Sequence, residues 1–135
     1  MGKFASIQSD IFSVFALAAW EAEGIPTFPT SFVQEFTADE FIRVSIIASG
    51  TGINLSSLSG LLIIDIFSSA GVGPSRFFHI ADKLDDYLVG KSLEGVAKKV
   101  TQFNSSTLSG VSQDTDNKSL SRASYTIPFN FYGVQ

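Results

Sequence analysis

Few residues of this chain have side-chain types that could do chemistry. His79 is the only histidine, and the sequence of 135 residues contains no cysteine. A metal site built on several histidines or on thiolates is therefore excluded, as is a cysteine nucleophile, and a catalytic dyad would have to use His79. This residue lies beside the apolar stripe of a predicted helix, which favours a side chain at the boundary of the core over a catalytic group.

Three acidic residues on the same predicted helix are a second candidate site. Asp82, Asp85 and Asp86 could supply oxygen ligands to a hard cation such as Ca²⁺. A solvated helix face explains them without a ligand, and we adopt that interpretation. Serines are plentiful, but none lies in the Gly-x-Ser-x-Gly pattern of a hydrolase nucleophile.

Two glycine-containing segments resemble parts of phosphate-binding loops. Residues 90–92 read Gly-Lys-Ser, but the upstream glycine position holds Asp85, and a helix precedes the segment where the motif needs a strand. Residues 71–73 read Gly-Val-Gly between a strand and a helix, but Pro74 removes a backbone donor and no third glycine follows. The second segment is predicted to be a turn. The sequence thus predicts no enzyme, no cofactor and no metal.

Composition limits the possible partners. The net charge of −4 argues against a protein that grips nucleic acid through its phosphates. With 44% hydrophobic residues and 13 phenylalanines, the chain carries much aromatic surface for a small core, so part of it is expected to meet another subunit. The apolar run 11–20 is too short for a membrane span, which takes roughly 20 residues, and no membrane partner is predicted. Residues 1–135 are predicted to form one domain.

The clearest elements are two strands and a helix. Residues 58–67 predict a central strand, and 41–49 predict a second one antiparallel to it. Placing Arg43 opposite Asp65 gives a charge pair on one face of this hairpin and an uninterrupted apolar face on the other. The apolar face consists of Ile42, Val44, Ile46, Leu62, Ile64 and Ile66. From Ser75 onward, apolar residues at three- and four-residue steps predict a helix that includes Phe77, Ile80, Ala81, Leu84 and Leu88.

The remaining segments are predicted more coarsely. Residues 5–23 predict a helix whose apolar stripe holds Ile7, Ile11, Val14, Phe15, Ala18 and Ala22. Residues 25–39 predict an irregular arm, 97–108 an edge strand or one arm of a long hairpin, 109–119 a polar loop, and 120–134 a strand. Pro128 in this last strand predicts an edge or a bulge at that point. The expected fold class is α+β, with an antiparallel-rich sheet and two helices packed on one face.

The order of these segments resembles a known family. The segments are Ile-Pro-Thr-Phe-Pro at 25–29, Glu-Phe-Ile-Arg-Val-Ser at 40–45, Gly-Leu-Leu-Ile-Ile-Asp-Ile-Phe at 60–67, Gly-Pro-Ser-Arg at 73–76, Ile-Ala-Asp-Lys-Leu at 80–84 and Ser-Arg-Ala-Ser-Tyr-Thr-Ile-Pro-Phe at 121–129. Together they look like the tail terminator (tail completion) proteins of long-tailed bacteriophages, over nearly the whole chain.

The resemblance implies a subunit that forms a ring, usually a hexamer, which caps the tail tube, ends its polymerisation and provides the surface on which the head docks. It implies the tail tube protein and the neck or connector proteins as partners, with DNA passing through the lumen without specific binding. The protein would be assembled in the host cytoplasm and located in the virion, at the head-proximal end of the tail.

Two alternatives remain open. Neighbouring proteins of the head-to-tail junction share the same fold, and a small enzyme or ligand-binding module is the competing class. The latter predicts a monomer or dimer with a pocket of convergent polar groups. A ring needs two different contact surfaces on each subunit. The candidates for these surfaces are the aromatic arm with Phe28, Phe32 and Phe36, and the polar hairpin with Gly110, Asp114 and Asp116.

Overall fold

The computed structural model describes residues 3–29, 40–48, 50, 57–69, 75–94, 100–113 and 120–133. Within these ranges the fold is α+β, with three helices and one sheet of seven strands. The helices are α1 (Lys3–Phe15), α2 (Ala18–Ala22) and α3 (Ser75–Leu88). The strands are β1 (Thr27–Pro29), β2 (Phe41–Ile47), β3 (Leu58–Ser69), β4 (Ser92–Glu94), β5 (Val100–Phe103), β6 (Thr107–Gln113) and β7 (Leu120–Tyr132).

The sheet is mostly antiparallel, as predicted. Its strand order is β1-β2-β3-β7-β5-β4, and β6 pairs with β7 outside this path. The pair β1–β2 is parallel, whereas the other pairs in the described part of the chain are antiparallel. The two longest strands, β3 and β7, lie side by side at the centre. Strands β2, β5 and β6 pair directly with these two strands, and α3 packs on β3.

The predicted register of the β2–β3 hairpin is confirmed. Arg43 lies opposite Asp65, and Ile47 lies opposite Leu61. The predicted apolar face is turned toward the helices and joins the core, where Ile46 is partly buried and the other five residues are buried. Alternation with a period of two therefore placed every residue of this hairpin on its correct face.

Strand β7 continues the same buried face. From residue 123 onward its odd-numbered residues are buried: Ala123, Tyr125, Ile127, Phe129 and Phe131. The strand is not at an edge, because β3 pairs with one side of it and both β5 and β6 pair with the other. Pro128 lies in the gap between the β5 and β6 pairings, where its carbonyl accepts a hydrogen bond from the Asn104 backbone N–H at 2.9 Å. Pro128 has no backbone N–H, and it therefore lies where neither β5 nor β6 pairs with β7.

Helix α3 has the predicted start and core face. Phe77, Ile80, Ala81, Leu84 and Leu88 are its buried residues. The chain turns away at Gly90, whose φ of 71° is in the left-handed region that glycine adopts without strain. The three- and four-residue spacing of apolar side chains was thus sufficient to orient this helix.

The N-terminal helix differs from the prediction. It ends at Phe15, and a shorter helix follows, so the expected single helix over residues 5–23 is broken at Ala16 and Leu17. The break turns Trp20 into the core, while Ala18 and Ala22 of the predicted stripe are exposed. The Trp20 ring packs edge-on against Phe15, with centroids 5.4 Å apart, and its Nε1–H donates to Thr27 Oγ1 at 2.9 Å. The free energy gained by burying the large Trp20 side chain outweighs the free energy lost by interrupting the helix.

The segment after α3 also differs. Residues 92–94 form the edge strand β4, which was not predicted, and residues 100–113 form two strands separated at 104–106. Part of the predicted polar loop, from Ser109 to Gln113, is the second half of β6 and pairs with β7. Serine and glycine are depleted in strands, but pairing with a long central strand overrides that preference.

Candidate interaction surfaces

The sheet has one face turned away from the helices, which we call the open face. It is formed by the residues that alternate with the core residues. In β2, β3 and β7 they are Phe41, Arg43, Ser45, Ile47, Leu61, Ile63, Asp65, Phe67, Arg122, Ser124, Thr126 and Pro128. One end of the open face is charged and aromatic, and the other end is apolar.

The charged end is organised around Asp65. Its carboxylate forms an ion pair with Arg122 Nη2 at 3.1 Å and accepts a hydrogen bond from Ser124 Oγ at 3.0 Å. The predicted ion pair between Arg43 and Asp65 is therefore wrong, although Arg43 is the cross-strand neighbour of Asp65. The guanidinium of Arg43 instead lies over the Phe67 ring, 5.2 Å from its centroid. Arg122 could have been identified from its even-numbered position in β7, which it shares with the other open-face residues of that strand.

The aromatic residues beside this cluster are stacked within the subunit. Phe67 stacks on Phe41 with centroids 4.6 Å apart, and Phe28 contacts Phe41 edge-on at 6.1 Å. Phe28, the first residue of the predicted aromatic arm, therefore packs on its own sheet. Phe32 and Phe36 lie outside the described residues, so their role stays a proposal.

The opposite end of the open face is apolar and exposed. Ile47, Leu61 and Pro128 form one row across three adjacent strands. Ile47 is 42% exposed and Leu61 is 37% exposed. Leu61 lies in the central strand, where a second covering layer would bury it. This row is therefore an apolar surface on the subunit.

A second apolar surface lies on the other side of the sheet, in a groove of about 460 Å³ between α1 and β2. Phe4, which is 61% exposed, is one of its lining residues. Among the residues that the structure describes, the lining is Phe4, Ile7, Gln8, Phe12, Pro29, Val44, Ser45, Ile46 and Ala48, and none of these is charged. The side chains of Val44 and Ile46 lie on the groove side of β2 and that of Ile47 lies on the open face, so the two apolar surfaces point in different directions.

Two side-chain contacts attach helices to the sheet. Thr101 Oγ1 donates to Asp10 Oδ2 at 2.9 Å, which joins α1 to β5. Tyr125 Oη donates to Asp85 Oδ1 at 2.6 Å, and Ser106 Oγ donates to the same oxygen at 2.5 Å. Asp85 is thus a structural acceptor, which corrects its assignment to a solvated face, whereas Asp82 and Asp86 are exposed. The pKa of Tyr125 is raised above its usual value, mainly because the hydroxyl is buried and secondly because it donates a hydrogen bond to Asp85.

The predicted hairpin site falls partly within β6. Gly110 has a φ of 71°, and the pairing with β7 shifts register between Ser109 and Ser112. A residue with positive φ at a register shift is the pattern of a β-bulge, which glycine forms at low cost. Asp114 and Asp116 lie outside the described residues, so their contact role stays a proposal.

An ion pair fixes the chain where it enters β2. The Arg76 guanidinium of α3 binds the Glu40 carboxylate through two contacts, Nε to Oε2 at 2.5 Å and Nη2 to Oε1 at 2.7 Å. The bond to Glu40 raises the pKa of Arg76 further. Arg76 is near the start of α3 and Glu40 adjoins the Phe41–Phe67 pair, so this contact places the N-terminus of α3 at that end of the sheet.

The described ranges offer little for metal, membrane or histidine chemistry. They contain no group of three or more His, Cys, Asp or Glu residues that could hold a metal ion. No helix within them has the length and apolarity needed to cross a membrane. His79 is exposed on α3. The features that remain are the apolar surfaces and the strand edges.

The comparisons with known proteins show the fold. No protein-family model matches the sequence, and no curated protein matches it. Among solved structures, the chain is similar to a chain from the virion of a native gene transfer agent particle, with 13% identity, coverage of 96% of both chains and a TM-score of 0.68. A second solved structure, of a protein without a descriptive name, has 11% identity, coverage of 97% of this chain and 94% of that one, and a TM-score of 0.63.

Proposed function

We propose that this chain is a structural virion protein of the tail terminator type. It forms an oligomeric ring, a hexamer by resemblance to that family, which caps the tail tube, ends tail polymerisation and provides the head-docking surface. The observation that carries the proposal is the fold shared, over 96% of both chains, with a chain of a virion. The resemblance of the sequence to tail terminators supplies the specific role.

The surfaces of the subunit support assembly. A ring subunit contacts its two neighbours through two different surfaces. The exposed row with Ile47 and Leu61 lies on the open face, and the groove with Phe4 lies on the helix side of β2.

The charge of the chain supports passage of DNA. The sequence carries 9 basic and 13 acidic residues, and the two arginines of the open face, Arg43 and Arg122, are occupied by Phe67 and Asp65. A mildly acidic ring repels the phosphate backbone and does not hold it by counterion release. DNA would therefore cross the lumen without specific binding.

A ligand-binding module is the alternative from another class. Its natural site is the groove beside α1, but among the described residues that line it Gln8 and Ser45 are the polar ones and none is charged. Specific small-molecule sites combine an apolar wall with several convergent polar groups. The lining of this groove fits a contact with another protein better than it fits a small-molecule site.

The aromatic arm has a proposed role in the ring. Phe28 packs within its own subunit, so the intersubunit or tube contact falls to Phe32 or Phe36, as a buried aromatic anchor. Replacing each with serine and measuring both the melting temperature and ring formation tests this. A folded subunit that no longer assembles supports the anchor. Loss of the fold assigns the side chain to its own core.

The function is tested by electron microscopy of particles made without this protein. A terminator binds the growing end of the tail tube and presents a different surface beyond it. Cells lacking the protein should therefore make DNA-filled heads and separate tails of uncontrolled length, and the two should not join. Complementation with the wild-type chain should restore tails of one length.

Two other outcomes would contradict the assignment. Separate tails of normal length, or empty heads, would assign the chain to the neck on the head side. Joined, infectious particles would remove the structural role and favour the ligand-binding module.

A further inference from the structure

Helix α3 carries an exposed ridge, which we call the α3 ridge. It consists of Phe78, Asp82 and Asp86, which follow one another at four-residue steps and therefore form one row on the helix surface. All three are exposed, and Phe78 is 55% exposed. The row runs from the flank of α3 at Phe78 to the side opposite the buried residues at Asp86. With a rise of 1.5 Å per residue, neighbouring members are about 6 Å apart along the axis.

The open face of the sheet has rows at nearly the same spacing. Each row crosses β2, β3 and β7, and successive rows are two strand residues apart, or about 7 Å. Three successive rows are Ile47, Leu61 and Pro128, then Ser45, Ile63 and Thr126, then Arg43, Asp65 and Ser124. In this order the rows present hydrocarbon, hydroxyl groups on either side of an isoleucine, and a guanidinium. The α3 ridge presents an aromatic ring and then two carboxylates.

The charges of the two surfaces are opposite. On the open face, Asp65 is paired with Arg122, while Arg43 lies over the Phe67 ring. Two arginines and one aspartate leave one positive charge in excess. The ion pairs of the described residues do not include Arg43, Asp82 or Asp86. The α3 ridge thus offers two carboxylates to a surface that has a guanidinium without a carboxylate partner in the described ranges.

We propose that the α3 ridge of one copy of this chain packs on the open face of the next copy. Phe78 lies on the apolar row with Leu61, Asp82 accepts hydrogen bonds from the hydroxyl row, and Asp86 binds Arg43. The proposal rests on the ring assembly proposed above and names the surfaces that build it. Because steps of about 6 Å on the helix meet steps of about 7 Å on the sheet, the three contacts can form together.

The positions of the two surfaces make the contact directional. Helix α3 packs on one side of the sheet, and the open face is the other side. Each copy therefore gives its α3 ridge on one side and receives a ridge on the other, so the contact repeats head to tail and closes into a ring when the rotation allows. It also covers Leu61, which is exposed in the central strand. Pairing of two open faces would instead stop at a two-fold dimer.

The first test reverses one charge on each surface. Arg43→Glu and Asp86→Lys place like charges against each other, and the concentration needed for half-assembly should rise at least about tenfold. Glu21→Lys is the matched control, since it makes the same change of charge as Asp86→Lys at an exposed residue of α2, and its assembly should equal that of the wild type. Native mass spectrometry, of the chain alone and with tail tubes, measures the rings. Circular dichroism checks folding, and Arg43→Gln replaces Arg43→Glu if that variant unfolds.

Mixing the two variants tests whether the contact joins different copies. The Arg43→Glu open face should accept the Asp86→Lys ridge, and the unchanged Arg43 of the second variant should accept the unchanged Asp86 of the first. An equal mixture should therefore recover rings in which the two variants alternate, in equal numbers. Two folded variants that remain dissociated when mixed would overturn the pairing of Arg43 with Asp86.

A cross-linking test uses the absence of cysteine from the sequence. Asp82→Cys and Thr126→Cys, as single variants mixed under oxidising conditions, should form a mixed disulfide dimer. Ser9→Cys, at an exposed residue of α1, is the control partner for Thr126→Cys and should not. Disulfides of Thr126→Cys only with itself would overturn the proposal in favour of two-fold pairing. No mixed disulfide, or one equal to the control, would overturn it in favour of a different protein on the open face.

The outcomes separate this inference from the function beneath it. Rings that persist in both folded variants, Arg43→Glu and Asp86→Lys, would overturn the helix-on-sheet contact and leave the terminator role standing. A wild-type chain that stays monomeric, alone and with tail tubes, would overturn the proposed function and this contact together.

Discussion

The two faces of the β2–β3 hairpin are built from alternate residues of the same strands, yet they differ in almost every property. On the helix side, Ile42 and Ile64 are fully buried. On the open face, Asp65 has charged and hydroxyl partners, and Leu61 is exposed. Burial of hydrocarbon accounts for stability on the first face. The second face buries the stacked pair Phe41 and Phe67 at one end and leaves Ile47 and Leu61 exposed at the other.

The largest difference between the two faces is expected when one carboxylate is placed on either side of β3. Ile64→Asp would bury an unpaired carboxylate among hydrocarbon, and we expect a loss of more than about 4 kcal/mol in the free energy of unfolding. Ile63→Asp places the same group on the open face, at the half-buried residue that precedes Ile64. It should cost much less free energy of unfolding. Thermal melting of both variants measures the difference. An unchanged melting curve for Ile64→Asp would show that the core face is assigned wrongly.

The second prediction concerns the partner of Asp65. A double-mutant cycle between Asp65→Asn and Arg122→Ala should give a coupling energy of about 1 kcal/mol, because the arginine is partly exposed and screened. The cycle with Arg43→Ala should give close to zero, since Arg43 lies over Phe67. Urea denaturation supplies the free energies. Larger coupling to Arg43 than to Arg122 would restore the pair expected from the sequence.

The third prediction uses the buried hydroxyl of Tyr125. Its pKa is raised, so the folded state holds the proton more tightly than the unfolded state, where the value is about 10. This contribution is fully present below about pH 10 and is lost as the pH rises above it. Tyr125→Phe should cost about 1 kcal/mol at neutral pH for the lost hydrogen bond, and should make the protein less sensitive to alkali. Equal loss of stability in both proteins between pH 9 and 12 would contradict the burial of this group.

The smallest effect on stability is expected at the exposed apolar row. Leu61→Ser should change the free energy of unfolding of the monomer by no more than about 0.5 to 1 kcal/mol, because the side chain is already partly in water. It should weaken assembly, whereas Ser59→Ala, a change on the same strand away from that row, should not. Analytical ultracentrifugation over a concentration series compares the two. Unchanged assembly of Leu61→Ser would remove this row from the contact surfaces.

Much of the fold could be predicted because its strongest patterns are local. Alternation in β2, β3 and β7 gave the buried face, and one pairing of Arg43 with Asp65 gave the hairpin register. The predicted ion pair between Arg43 and Asp65 was wrong because β3 is a central strand, with β2 on one side and β7 on the other. Sequence parity cannot tell which of two arginines, Arg43 or Arg122, will reach the carboxylate when both lie in its row.

Other features depend on contacts between distant segments. No glycine or proline marks the break at Ala16 and Leu17, which is explained by the burial of Trp20 against Phe15. β6 has a loop-like composition and is a strand because β7 pairs with it. Among the contact candidates, the structure places Phe28 within its own sheet and Gly110 at a bulge.

As a tail terminator, this chain would be a ring subunit located between tail and head. The most direct test is cryo-electron microscopy of purified particles that carry a small tag on this protein, with its copy number measured by quantitative mass spectrometry. The account predicts one hexameric ring for each particle, at the head-proximal end of the tail tube. Particles that lack the protein, or carry it along the tail or in the capsid shell, would contradict it.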